Sequence, residues 1–275
     1  MSAAARSRKC LLAAMALIAC GAANAGSVTY LANEAVLVES GGSKILFDPL
    51  FTNGFGQYRL LPQRMHRALF AGEPPFDDVA AIFISHHHAD HFAAGPMAQY
   101  LHAQPQVRLY APAQAVTALR DVSGIADGVL ERVTGIALDE PGVPVDMTLD
   151  GITIAVMRVP HSGWPNRMTD VENLVFRITL DDTATVAHFG DADPDPAHFT
   201  PSATTWQERD TDLAMPPYWF FLSDGGRQIL DDIIRPKAAV GVHVPVTVPR
   251  DARKREERLQ SADLFIEPGE SRPIP

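Results

Sequence analysis

Ser85-His86-His87-His88-Ala89-Asp90-His91, directly after the apolar run Val79-Ala80-Ala81-Ile82-Phe83-Ile84, decides the reading of this chain. An unbroken apolar run of this length is what a strand buried on both faces requires. In the extended segment that follows, alternate side chains share a side, so His86 and His88 form a pair while His87 turns away. Asp90 and His91 fall at the bend beyond them, and Phe92 to His102 reads as a short helix. A strand end running into such a loop holds metal ligands well, because the strand fixes the backbone and the loop exposes the side chains. With the histidine and aspartate content of this chain, the four positions of H-x-H-x-D-H would coincide by accident on the order of once in a thousand chains.

The loop resembles the signature of the metallo-β-lactamase-fold hydrolase superfamily, and the family's further ligand positions can be matched in chain order. His161 lies in Val159-Pro160-His161-Ser162-Gly163, after the apolar run Ile152 to Val156. Asp191 lies in Phe189-Gly190-Asp191, after Thr183 to His188, and His243 in Val240-Gly241-Val242-His243-Val244-Pro245. Upstream, Tyr30 to Pro49 alternates apolar and polar residues around Gly41-Gly42, a hairpin signal. A hairpin ending in Ile45-Leu46-Phe47-Asp48-Pro49 resembles the branch that includes ascorbate-6-phosphate lactonase and the N-acyl-phosphatidylethanolamine phospholipase D. The Gly-His pair common near the start of that hairpin is here Ala32-Asn33.

The resemblance implies a single α/β domain, residues 26–275, built as a four-layer αβ/βα sandwich. The local patterns agree: Gln104 to Ala111, Ile152 to Arg158 and Leu174 to Leu180 read as strands, and Pro112 to Arg120 and Gly226 to Ile234 as helices. It also implies two divalent ions, one held by His86, His88 and His161, the other by Asp90, His91 and His243, with Asp191 bridging. Asp48 would orient a ligand imidazole through an outer hydrogen bond. Zinc suits the nitrogen-rich set best, with manganese or iron as alternatives. Two such ions ~3.5–4 Å apart share a water and lower its pKa toward neutrality. The implied activity is therefore hydrolysis of an ester-type bond, a phosphodiester or a lactone or carboxylic ester, by a metal-bridging hydroxide that Asp90 orients and whose proton it later relays.

True β-lactamases of this fold usually lack a carboxylate at the position of Asp191. Action on β-lactam amides is therefore the alternative, beside a catalytically silent metal-binding protein of the same fold. Trp164, Arg167, Tyr218 and Trp219 lie near ligands in sequence and are candidate substrate-pocket residues, Arg167 for an anionic group. For the aromatics, core packing is the competing reading. His188, two residues before Gly190, could face the site.

Composition frames the rest. The 275 residues are 46% hydrophobic and 20% charged, which suits one globular domain with a sizeable core. Residues 1–25 read as an export leader: Arg6, Arg8 and Lys9, then apolar Leu11 to Ala19, then Ala23-Asn24-Ala25 before Gly26. The expectation is a periplasmic or secreted protein cut after Ala25. Leu17-Ile18-Ala19-Cys20 also resembles a lipobox, so a lipoprotein anchored through Cys20 is the alternative. Cys10 and Cys20 are the only cysteines, and no disulfide can form inside the domain. No apolar stretch reaches the ~20 residues of a membrane span. Losing the leader removes three of the 23 basic residues and none of the 33 acidic ones, moving the net charge from -10 to -13. So acidic a surface excludes nucleic acid as a partner and leaves a small-molecule substrate.

Overall fold

The computed structural model describes residues 26–138 and 144–275. Residues 1–25, read from the sequence as an export leader and holding both cysteines, lie outside the described residues. Two sheets face each other. The first has seven strands in the order β13-β1-β2-β3-β4-β5-β6, formed by β1 (Ser27–Ala32), β2 (Ala35–Ser40), β3 (Ser43–Phe47), β4 (Val79–Phe83), β5 (Arg108–Pro112), β6 (Val133–Ile136) and β13 (Ser271–Pro273). The second has six in the order β12-β11-β10-β9-β8-β7, formed by β7 (Val145–Leu149), β8 (Ile152–Arg158), β9 (Leu174–Leu180), β10 (Ala184–His188), β11 (Leu213–Met215) and β12 (Ala238–Ala239). Helices α1 (Gln63–Ala71), α2 (Ala94–Ala103), α3 (Ala113–Arg120) and α4 (Asp127–Leu130) belong to the first half, and α5 (Ala203–Gln207) and α6 (Asp224–Gln228) to the second.

Strand periodicity explains the layers. Along β2 to β4, Val36, Val38, Ile45, Phe47, Ala81 and Phe83 point between the sheets, where they meet Ile154, Val156, Phe176 and Ile178. Their sequence neighbours Leu37, Leu46, Ile82 and Ile84 point outward and pack under Met97, Leu101, Val116 and Leu119 of α2 and α3. The second sheet repeats this, with Met157, Val175, Ala187 and Ala214 turned toward Trp206, Ile229 and Ile234. Strands covered on both faces need apolar residues at every position, which is why Val79 to Ile84 is unbroken. Each such side chain contributes about 1.5–3 kcal/mol on burial. The result is the four-layer sandwich expected from the sequence.

Some local expectations are corrected. The stretch Tyr30 to Pro49 forms two hairpins, because a buried Asn33-Glu34 turn separates β1 from β2 before Gly41-Gly42 separates β2 from β3. The strand expected from Gln104 begins at Arg108, since the Gln104 backbone N–H still bonds back to the Tyr100 carbonyl and ends α2. The charged run Arg250 to Arg258 forms two short turns, Ala252–Lys254 and Glu257–Leu259. There the Arg255 guanidinium donates to the carbonyls of Pro249, Arg250 and Ala262, which fixes the chain as a loop.

Candidate metal centre

Five segments converge at one end of the sandwich, each leaving a strand there: Asp48 after β3, His86 to His91 after β4, His161 after β8, Asp191 after β10 and His243 after β12. Ligand atoms of His86, His88, His161 and Asp191 lie within 4.8 Å of one another, and so do those of Asp90, His91 and His243. Asp191 stands between the two groups. Its Oδ2 is 3.2 Å from His161 Nε2 and 3.9 Å from His86 Nε2, while its Oδ1 is 3.3 Å from His91 Nε2 and 3.2 Å from His243 Nε2. Asp90 Oδ2 closes the second group, 3.4 Å from His243 Nε2 and 3.8 Å from His91 Nε2.

Outer contacts set the imidazole tautomers. Asp48 is fully buried, accepting from the Ser85 backbone N–H at 2.8 Å and from Ser85 Oγ at 2.5 Å. It also accepts from His91 Nδ1 at 2.9 Å, so the Nε2 lone pair of His91 faces the site whenever that nitrogen is unprotonated. His161 Nδ1 donates to the Ser162 carbonyl at 2.8 Å, which likewise turns Nε2 inward. The backbone is shaped for this. Gly190 takes φ +53°, and a Cβ there would come within 2.5 Å of Asn173 Oδ1 and 2.6 Å of Ser85 Cβ. That Asn173 Oδ1 accepts the Asp191 backbone N–H at 2.9 Å. Asp48 and His243 themselves adopt φ of +41° and +57°, an unfavourable region for side-chain-bearing residues that tends to mark functional sites.

The donor set fits divalent ions on its own chemistry. His91 Nε2, His161 Nε2, His243 Nε2 and Asp191 Oδ1 are buried without a hydrogen-bond partner and all face the same two points. Buried polar atoms left unsatisfied in this way call for an ion or water.

The electrostatics of the two groups differ. Burial, helped by the neighbouring His91, pushes His86 well below the ordinary imidazole range, and burial lowers His88 to about 4, so both are neutral imidazoles near neutral pH. Burial also works against a charged His91, but Asp191 and then Asp48 outweigh it and hold its pKa well above normal. Asp191 is held well below the carboxylate range, because His243 and His91 outweigh its burial. Asp90 is lowered despite burial, by the His243 imidazole 3.4 Å away and the charge of His91.

The site opens into a cavity of about 760 Å³. Arg167 lines it, together with Phe55, Gln57, Tyr58, His87 and Met168. Trp164, Tyr218 and Trp219 are not among its lining residues. Trp219 instead donates Nε1–H to the Ala192 carbonyl at 3.1 Å and sets its ring edge-on to His243 at 5.2 Å, with Tyr218 edge-on behind it at 5.7 Å. These two rings brace a ligand from the protein side. His87, expected to turn away, lies on the cavity wall outside both ligand groups. His188 is buried, stacked on Phe47 at 4.6 Å. Sequence reasoning missed Glu34, Phe55, Gln57 and Tyr58. The only signal for the last three was the turn-rich stretch from Asn53 to Gly56, ahead of Tyr58.

The same fold appears in solved structures. A metallo hydrolase from the hyperthermophilic archaeon Ignicoccus hospitalis is 19% identical with a TM-score of 0.59, over 90% of this chain and 98% of that one. A possible metal-dependent hydrolase from Veillonella parvula is 15% identical with a TM-score of 0.60, over 91% and 100%. The diiron β-hydroxylase CmlA from Streptomyces venezuelae is 14% identical with a TM-score of 0.51, over 90% and 53%. No relative among the curated proteins matches in sequence. The family model of the β-lactamase superfamily domain matches residues 43–221, which is more than half of the chain. The protein therefore belongs to the β-lactamase superfamily, and the histidine-aspartate cluster at the end of its sandwich is its candidate metal centre.

Proposed function

We propose that this chain is an exported hydrolase that uses two divalent ions to cleave an ester-type bond, a phosphodiester or a lactone or carboxylic ester. The observation that carries this is the division of labour on Asp191, whose two oxygens each face a separate group of donors. When bound, the ions supply a water acidic enough to act as a nucleophile near neutral pH and a Lewis acid for the electrophile. The chain does the rest. Asp48 and the Ser162 carbonyl hold the imidazoles of His91 and His161 in fixed orientations. Asp90 Oδ2 accepts the proton released by the attacking water and returns it to the leaving oxygen. Arg167, for which the described residues show no side-chain hydrogen bond or ion pair, offers the cavity a positive charge for an anionic group of the substrate.

Zinc matches the imidazole-rich donors, and the diiron relative is the reason to load iron and manganese beside it. The test is hydrolysis of a chromogenic phosphodiester and of a simple lactone by the metal-loaded mature protein, the lactone in a neutral and an anionic form. Asp90→Asn should lower kcat by about 10²–10⁴. Arg167→Ala should slow only the anionic substrates. Turnover of one electrophile assigns phosphorus or carbon, whereas an Asp90→Asn rate equal to wild type overturns the mechanism. Export is supported by the leader pattern of residues 1–25. N-terminal sequencing of the secreted or periplasmic protein should begin at Gly26, and a lipid-blocked Cys20 would assign the anchored form instead.

A further inference from the structure

The departure at Ala32-Asn33 leads to a part of the molecule that the ligand set does not explain. Hairpin turns ordinarily sit on the surface, where water satisfies them. Here Asn33 and Glu34 have no exposed surface at all, and Asn33 takes φ +48°. The turn is pressed against the second ligand group from behind. Asn33 Nδ2 donates to the Asp90 carbonyl at 3.0 Å, and the Asn33 carbonyl accepts the His243 backbone N–H at 3.0 Å. The Glu34 carbonyl lies 3.0 Å from His188 Nε2, within reach of its N–H.

The Glu34 carboxylate is the unexplained group. Both of its oxygens are buried without a hydrogen-bond partner. Oε2 lies 3.5 Å from His188 Nε2 and 4.0 Å from His91 Nδ1, the ring nitrogen that bonds Asp48. Glu34, His91 and Asp191 place ligand-type atoms within 4.8 Å of one another. A buried carboxylate with so little direct bonding is costly unless a nearby positive charge balances it. The nearest imidazoles do not suffice, because Asp48 already holds His91 Nδ1 at 2.9 Å and the Glu34 carbonyl lies nearer His188 Nε2 than the carboxylate does. Two divalent ions carry four positive charges, and Asp48, Asp90 and Asp191 supply three negative ones. Burial raises the Glu34 pKa in the ion-free protein, and beside two bound ions its ionised form would supply the fourth.

We propose that Glu34 is a positioning residue for the second ion: from the buried β1–β2 turn it places negative charge behind His91, so that Asp90, His91 and His243 hold a divalent ion tightly. The proposal rests on the two-ion reading above and adds a residue outside its ligand set. Glu34 touches neither the ion nor the substrate and acts through the His91 ring and the local field.

The test is a metal titration of the intact mature protein with zinc against a competing chelator, following the two binding steps separately in wild type, Glu34→Gln and Glu34→Asp. Glu34→Gln keeps the shape and removes the charge. It should weaken the second ion about 10–100-fold while leaving the first ion, held by His86, His88 and His161, unchanged. Glu34→Asp, which keeps the charge, should recover part of the loss. The unchanged first step shows that the variant is folded. Wild-type affinity for both ions in Glu34→Gln would overturn the proposal, and so would equal weakening of both, which marks a purely structural role. A third ion in wild type that disappears in Glu34→Gln would overturn it differently, by making Glu34 a ligand together with Asp48 and His188. A wild type that takes up a single ion would instead remove the two-ion reading itself.

Discussion

The two halves of the metal centre are built on opposite electrostatic plans. His86, His88 and His161 make a neutral nitrogen cradle in which burial has stripped His86 and His88 of their affinity for protons, and His88 remains half open to the cavity. Asp90, His91 and His243 make an enclosed, anionic one, with Asp48 and Glu34 behind it and a histidine that keeps its proton. In the ion-free protein that proton places one positive charge where a divalent ion would bring two. Under the two-ion proposal, the first half would select an ion by ligand geometry and the second by charge. Only Asp191 belongs to both.

The largest expected effect comes from breaking that shared element. Asp191→Asn should weaken both ions by more than the 10–100-fold typical of losing an outer partner, and should abolish turnover. Competition titration beside a rate assay checks it. Loss of one ion alone would show that the halves are independent and that the comparison is drawn in the wrong place.

A smaller effect follows from the protons that the neutral half refuses. His86, His88 and His188 all have lowered pKa values through burial, with His88 at about 4. Between pH 6.5 and about 4 the unfolded chain therefore binds protons that the folded, metal-free chain does not. The stability tied to these imidazoles is complete above 6.5 and is lost as pH falls through that window. His91, with its raised pKa, is protonated in the fold throughout, and its contribution is fully present below 6.5. Glu34, raised by burial, opposes the trend by one proton against three imidazoles. The thermal midpoint of the metal-stripped protein should thus drop steadily from pH 7 to 4. A flat or rising profile would erase the distinction between the halves.

What could be seen in advance follows the same division. The ligands cluster within a short loop or flank apolar strands, so spacing and periodicity expose them. Val79 to Ile84 and Ile152 to Arg158 could be recognised as strands because each is long enough to show a pattern. Glu34 was invisible for a physical reason: a glutamate in a tight turn is ordinarily solvated, and only the packing of the second half of the chain over the hairpin buries it. Tyr218 and Trp219 show the converse, since closeness to His243 in sequence could not tell which side of the imidazole they would occupy. Strand β12, two residues long, is too short to carry any periodicity at all.

The pairing of β13 with β1 sets Pro273 opposite Ser27, so the two ends of the folded domain emerge together. The other end of β1 runs into Asn33, under the metal centre. Six extended residues at ~3.3 Å each separate these ends, about 20 Å in all. A purification tag or fluorophore joined directly at Gly26 or Pro275 would start from the end of the described domain opposite the cavity mouth, and substrate approaches a face that the attachment leaves clear.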